Sequence, residues 1–359
     1  MARLLLRALE GAGHTPFLAS AFRSYEGRGD GDRQAALHDR AKAERDRLLL
    51  AYGGGGPDRP QAWFTYHPYH KAPDWLGPAI SDALDIPYLV AEPSFAPKRA
   101  DGPWRRGHGA TAAALARADI ALCLTRHDME CVAPRMRQPE RRLMFLPPFV
   151  DAGASPQPDR AAARGALADR LGLDENAVWL AAVAMMRAGD KLASYRQLGA
   201  ALARLDRGAT RLLVAGDGAA RPQVEAALRP LGEGVRFLGE LGAAARSELL
   251  VAADLYVWPA VGEAYGMALL EAQAAGLPVV AGRAPGVVDA VADGESGLLA
   301  ALGDPAELAA RVAELVADPA RRRRLGAGAR AFIAGDRTLG AAAARLHQAI
   351  ERARALRAP

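Results

Sequence analysis

The stretch Asp254-Leu-Tyr-Val-Trp-Pro259-Ala-Val-Gly-Glu263-Ala-Tyr-Gly266-Met267-Ala-Leu-Leu-Glu271-Ala-Gln-Ala-Ala-Gly276-Leu-Pro278-Val-Val decides the fold. Leu255–Trp258 is an apolar run of strand length. A loop with Gly266 follows, then a helical stretch and a second apolar run near Val279–Ala281. Strand, loop, helix, strand is the repeating unit of a parallel sheet covered by helices. Gly266 lets backbone come close to a ligand. The residues after it open a helix, whose first N–H groups form an anion site. Glu263 sits in the loop and Glu271 eight positions on. Were that span all helix, it would cover about 12 Å, with the carboxylates about 80° apart around the axis. Each carboxylate can accept two hydrogen bonds from a diol. Two surface glutamates on an amphipathic helix would share this spacing, so the flanking residues carry the weight.

Working outward, the same alternation fills the chain. In the first half it predicts strands near Thr15–Ala19, Ala62–Tyr66, Tyr88–Ala91, Ile120–Leu124 and Leu143–Leu146, with helices such as Arg33–Tyr52 and Gly107–Ala118 between them. In the second half it predicts strands near Trp179–Ala184, Arg211–Ala215, Val235–Leu238, Leu255–Trp258 and Val279–Ala281. Pro147-Pro148 and the Pro/Ala/Gly/Asp-rich stretch Asp151–Asp159 read as a hinge. The expectation is α/β: two doubly wound, Rossmann-like domains, residues 1–150 and 151–337, then an Arg-rich C-terminal helix, 338–359. Ligands of such sheets bind at the carboxyl ends of strands, so the expected site is the cleft between the domains. The chain opens with a helix ended by Gly11 and Gly13, where a doubly wound domain normally opens with a strand. The first strand therefore reads as missing, and a natural product beginning upstream of Met1 is expected.

The 359 residues suit two domains, and a charged fraction of 24% excludes global disorder. The longest apolar run, Ala177 to Met186, is too short to cross a bilayer. No signal peptide is visible, so a cytoplasmic protein is expected, with peripheral contact at the inner membrane face as a further expectation. Cys123 and Cys131 fit no metal spacing and form no disulfide framework. Lysine occurs only at Lys42, Lys71, Lys98 and Lys191; arginine supplies the rest of a formal charge of +5. Up to residue 150 there are 21 basic and 17 acidic residues, and after it 25 and 24, so the basic excess lies in the first half. No aromatic-basic interleaving points to nucleic acid.

Several segments together resemble the C-terminal domain of a family 4 glycosyltransferase, a retaining GT-B enzyme of group 1 type. They are Asp254–Pro259, Glu263-Ala-Tyr-Gly-Met, Leu270-Glu271-Ala-Gln-Ala-Ala-Gly276-Leu-Pro278 and Gly294-Glu-Ser-Gly297-Leu-Leu, with Val214-Ala-Gly216-Asp-Gly218 and Val235-Arg-Phe-Leu-Gly239 upstream. The resemblance spans Ala177 to Leu299. The first half resembles the family in layout alone. It implies a nucleoside-diphosphate sugar as donor substrate, no cofactor and no metal. Glu263 would contact the donor sugar, Glu271 the ribose, and the backbone at Tyr265, Gly266 and Met267 the diphosphate and sugar. Arg187 and Lys191, in Met185-Met186-Arg187-Ala-Gly-Asp-Lys191, would neutralise the leaving diphosphate; fixed cations aimed at developing charge lower a barrier. Leu192 stands where the family has a glycine.

On the acceptor side, His67 and Glu92 are the candidates, in the loops after two predicted strands. A histidine suits general-base work at neutral pH, whereas Glu92 would need a raised pKa. From Ser94 to Arg142 there are ten basic and five acidic residues, with Lys98, Arg99, Arg105 and Arg106 clustered around Trp104. They read as a solvated loop, or as a dock for an anionic acceptor or a membrane face. The acceptor is expected to be a carbohydrate, a lipid-linked molecule or a small molecule. Asp30-Gly31-Asp32 has a D-x-D form, but no apolar strand directly precedes it, which argues against a metal site. Gly53–Gly56 is a flexible connector, because no Lys-Ser/Thr follows it. Other readings are a sugar-nucleotide epimerase, a phosphorylase, or a sugar-nucleotide binder without turnover. That no Gly-x-Gly-x-x-Gly follows an early strand argues against a dehydrogenase.

Overall fold

The computed structural model describes residues 1–56, 58–153, 158–206 and 210–358. Part of the Asp151–Asp159 stretch read as a hinge, residues 154–157, lies outside them. The chain forms two compact units: residues 1–147 with 340–359, and residues 148–339. The final helix, Leu339–Ala355, thus joins the first unit from Gly340 onward.

The first unit holds a four-stranded parallel sheet, β1 Trp63–Tyr66, β2 Tyr88–Ala91, β3 Ile120–Cys123 and β4 Leu143–Phe145, in that spatial order. β2 and β3 are central and fully buried, which is why their sequences are continuous apolar runs. Thr15–Ala19 is not the strand its pattern suggested. It is irregular, and Leu18 is 84% exposed. A strand persists only where a neighbour completes its ladder, and among the described residues no strand pairs with this segment.

The second unit carries a six-stranded parallel sheet: β5 Val178–Val183, β6 Thr210–Ala215, β7 Val235–Gly239, β8 Leu255–Trp258, β9 Val279–Gly282 and β10 Gly297–Ala300. β10 falls in the Gly294–Leu299 motif, whose reading did not include a strand. The spatial order is β10-β9-β8-β5-β6-β7, so the direction of winding reverses between β5 and β8. β5 follows β6 at six positions, from Val178↔Thr210 to Val183↔Ala215. It follows β8 only at Leu180↔Leu255 and Ala181↔Tyr256. Beyond these pairs the buried Tyr256 hydroxyl bridges the two strands: it donates to the Val183 carbonyl at 3.0 Å and accepts from the Val183 N–H at 3.3 Å. Trp179, Tyr195 and Trp258 fill the core around these strands.

In the first unit, Asp30 of the D-x-D segment caps the helix Gly31–Gly53, its carboxylate accepting from the N–H groups of Asp32 and Arg33. Beside it, the buried Glu26 carboxylate accepts from the N–H groups of Arg28, Gly29 and Asp30 at 2.6, 2.6 and 3.1 Å, and from the Gln34 amide. Burial alone would raise its pKa, but these four donors outweigh burial and hold it below the usual carboxylate value. A depressed folded-state pKa adds stability above the unfolded pKa, and that stability is lost as pH falls through the folded value. Glu26→Gln is expected to lower the melting temperature at neutral pH by about 2–4 °C, the effect of losing one charged hydrogen-bond acceptor of ordinary strength. The difference from wild type should shrink below about pH 4.5, where the unfolded carboxylate takes up its proton; melting curves from pH 7 to pH 3 check this.

Candidate functional site

At a reversal of strand order the two neighbouring strands send their loops to opposite faces of the sheet, leaving a crevice at their carboxyl ends. β5 and β8 are such a pair. The loop after β5 carries Arg187 and runs into the helix Asp190–Leu202, whose first turn carries Lys191; the loop after β8 carries Glu263, Tyr265 and Gly266.

The two loops meet. Lys191 Nζ donates to Glu263 Oε2 at 2.5 Å, and the pair is only 17% and 15% exposed. Trp258 Nε1, from the last residue of β8, donates to the same oxygen at 3.1 Å. The Lys191 ammonium also stands 5.4 Å from the Trp258 ring centre. Tyr195 packs edge-on to that ring at 5.1 Å and anchors its hydroxyl on the Ala184 carbonyl at 2.8 Å. Ser194 ties the loops again: its Oγ donates to the Asp190 carbonyl and accepts from the Val261 N–H at 3.0 Å.

Backbone conformation holds these loops close. Gly262, at φ +59°, lies against the Asp190 carboxylate, where a Cβ would come within 2.4 Å of it. Gly216, at φ +136°, is packed so tightly that a Cβ would stand 2.0 Å from the Ala184 carbonyl oxygen. The Met186 N–H bonds the Asp217 carbonyl at 2.8 Å. The Gly216-Asp-Gly218 segment after β6 is therefore a brace for the loop after β5.

Gly266, at φ +67° and ψ +71°, stands at the N-cap of the helix Met267–Ala274, whose start has no side-chain cap. Met267 packs on Val150, Leu270, Ala290 and Ile333. Tyr265 lies half-buried in the preceding loop. Glu271, on this helix, forms an ion pair with Arg246 Nε at 2.8 Å; Arg246 sits on the helix Ala243–Ala252. Arg187 is exposed and makes no ion pair among the described residues. The structure thus joins Lys191 directly to Glu263, which the sequence placed in separate roles. It adds Trp258 and Arg246, which sequence reasoning missed. Trp258 had a signal, an indole ending the strand before the loop; Arg246 had none.

In the first unit, His67 and Glu92 are neighbours rather than alternatives. His67 Nδ1 lies 3.0 Å from the Glu92 carbonyl oxygen and 3.4 Å from its Oε1. Both follow parallel strands and both hold positive φ, +55° and +53°, which is rare outside glycine. Strain of this kind gathers at working sites. Lys71 and Arg99 both approach the Trp104 ring, at 4.6 and 5.6 Å from its centre. Among the described residues no group of three or more His, Cys, Asp or Glu could hold a metal ion, and no helix is long and apolar enough to cross a membrane.

Two parallel-sheet α/β units match the GT-B fold of solved glycosyltransferases. The family described as Glycosyl transferases group 1 matches residues 175–318. A D-inositol 3-phosphate glycosyltransferase of Xylanimonas cellulosilytica is 30% identical over 293 residues, 76% of this chain and 68% of that protein. The chain belongs to the group 1 glycosyltransferase family. The enzyme of the same description from Geodermatophilus obscurus is 36% identical over 226 residues, 60% of this chain and 49% of that protein. The chain thus spans about half the length of this relative. Among solved structures, Anabaena Alr3699/HepE in complex with UDP superposes with a TM-score of 0.70 at 17% identity, over 86% of this chain and 82% of that one, a likeness of fold.

The brace leads to a stability test. Gly216→Ala is expected to cost about 1–3 kcal/mol, because the new methyl group meets a backbone carbonyl and the residue keeps a strained φ. Denaturant unfolding measures it; an unchanged midpoint would remove Gly216 from the brace.

Proposed function

We propose that this protein transfers a sugar from a nucleoside-diphosphate sugar to an acceptor hydroxyl with retention of anomeric configuration. The observation that carries the proposal is the Lys191–Glu263–Trp258 contact at the switch point, just ahead of the helix start at Gly266. Glu263 has lone pairs beyond those taken by Lys191 and Trp258, and they accept from the donor sugar hydroxyls. The diphosphate rests at the N-terminal N–H groups of the helix Met267–Ala274, with Gly266 allowing close approach. Glu271 takes the ribose hydroxyls.

In the reaction, the bond between the anomeric carbon and the phosphate oxygen breaks, and its electron pair leaves with the diphosphate. Lys191, Arg187 and the helix start meet the new negative charge. The acceptor oxygen bonds the anomeric carbon on the same face, and its proton passes to the departing phosphate oxygen. No metal is needed to balance this charge, so turnover is expected to survive EDTA. His67 and Glu92 serve the acceptor. The relatives named for D-inositol 3-phosphate make a small phosphorylated polyol the first acceptor to try, with UDP-sugars as first donors.

Glu263→Ala and Lys191→Ala should each lower turnover by about 10²–10³, the range for removing one charge-stabilising group, while circular dichroism stays native. Proton NMR of the product should show the donor's own anomeric configuration. Unchanged turnover in both variants, or an inverted product, would overturn the mechanism.

A further inference from the structure

Arg246 lies on a helix that the donor-site residues do not share, and no part of the proposed chemistry uses it. Yet its Nε sits 2.8 Å from Glu271 Oε2. Both side chains are about one-third exposed, at 32% and 33%. An ion pair this open to water adds little to stability. The pair is better explained by what it does to the carboxylate. Glu271 stands one helical turn beyond Met267, on the eight-residue helix that Gly266 starts. A carboxylate on a glutamate has three rotatable bonds, and a free one would sample several directions. The ion pair draws one oxygen toward the guanidinium. It leaves the second oxygen, and a further lone pair on the first, to receive two hydroxyl donors.

Resting on the donor-site reading above, we infer that Arg246 is a positioning residue for ribose recognition: it holds Glu271 in the direction that accepts the ribose diol. The site is then ordered before nucleotide arrives, and the ordering cost is met by the ion pair rather than by the ligand. Specificity for ribose over a sugar lacking its hydroxyls follows, because an acceptor held in place and left unmatched disfavours the wrong ligand. Lys191 does the same for Glu263, so each donor carboxylate has its own cation.

The test compares UDP with 2′,3′-dideoxyuridine diphosphate by isothermal titration of the full chain. Wild type should prefer UDP by about tenfold or more, an amount within the range of hydrogen bonds to a charged acceptor. Arg246→Met keeps the aliphatic stem and removes the charge. It should weaken UDP by several-fold while leaving the dideoxy ligand nearly unchanged, so that the preference collapses. Arg246→Lys should restore part of it. Equal weakening of both ligands would show a general effect of charge or folding and overturn the positioning role, as would a variant that keeps the wild-type preference. If wild type binds neither UDP, ADP nor GDP, the donor-site reading itself fails and this inference falls with it; that outcome is visible before any variant is made.

Discussion

The second unit depends on how briefly β5 and β8 pair. They share a ladder at two positions and then part, with the Tyr256 hydroxyl standing in for the next rung. Because the winding reverses there, the chain leaves β5 and β8 in opposite directions. The loops that begin at Ala184 and Pro259 are thereby forced to open beside each other. The contact of Lys191 with Glu263 follows. Were the winding in one sense there, the connections after β5 and β8 would lie on the same face, without a crevice between them.

That geometry brings together charges of opposite sign. Lys191 and Glu263 are mostly buried, and a buried charge needs a partner. Each satisfies the other at the carboxyl ends of β5 and β8. Trp258 adds a neutral donor and an aromatic face, which keep the pair in register without adding charge. Arg246 and Glu271 repeat the arrangement nearer the helix end, in a wetter setting. A ligand with a diphosphate and a diol can share both pairs without leaving a charge stranded.

The first unit shows the same principle with backbone strain in place of charge. The register Tyr66↔Ala91 between β1 and β2 makes the next residues, His67 and Glu92, adjacent across the sheet edge. Both adopt left-handed backbone, which turns the chain sharply out of the sheet. Sequence reading found the two loops because apolar runs preceded them, but could not choose between the side chains. Register settles that they lie side by side. Thr15–Ala19 failed for the converse reason: its pattern is strand-like, yet pattern does not supply a neighbouring edge. β10 was overlooked because a four-residue strand opened by a glycine carries almost no periodic signal.

Local sequence determined the parallel α/β class, the strands β2, β5 and β8 within a residue or so, the helix start at Gly266 and the residue types of the candidate site. These follow from interactions between near neighbours: apolar period, turn chemistry and helix ends. Tertiary structure alone decided which of those residues touch. Lys191 and Glu263 are 72 positions apart, and Arg246 and Glu271 come from different helices. Their contacts depend on strand order and on how far two strands stay paired, which no window of sequence encodes. It is the reversal between β5 and β8 that turns a set of suitable residues into a site.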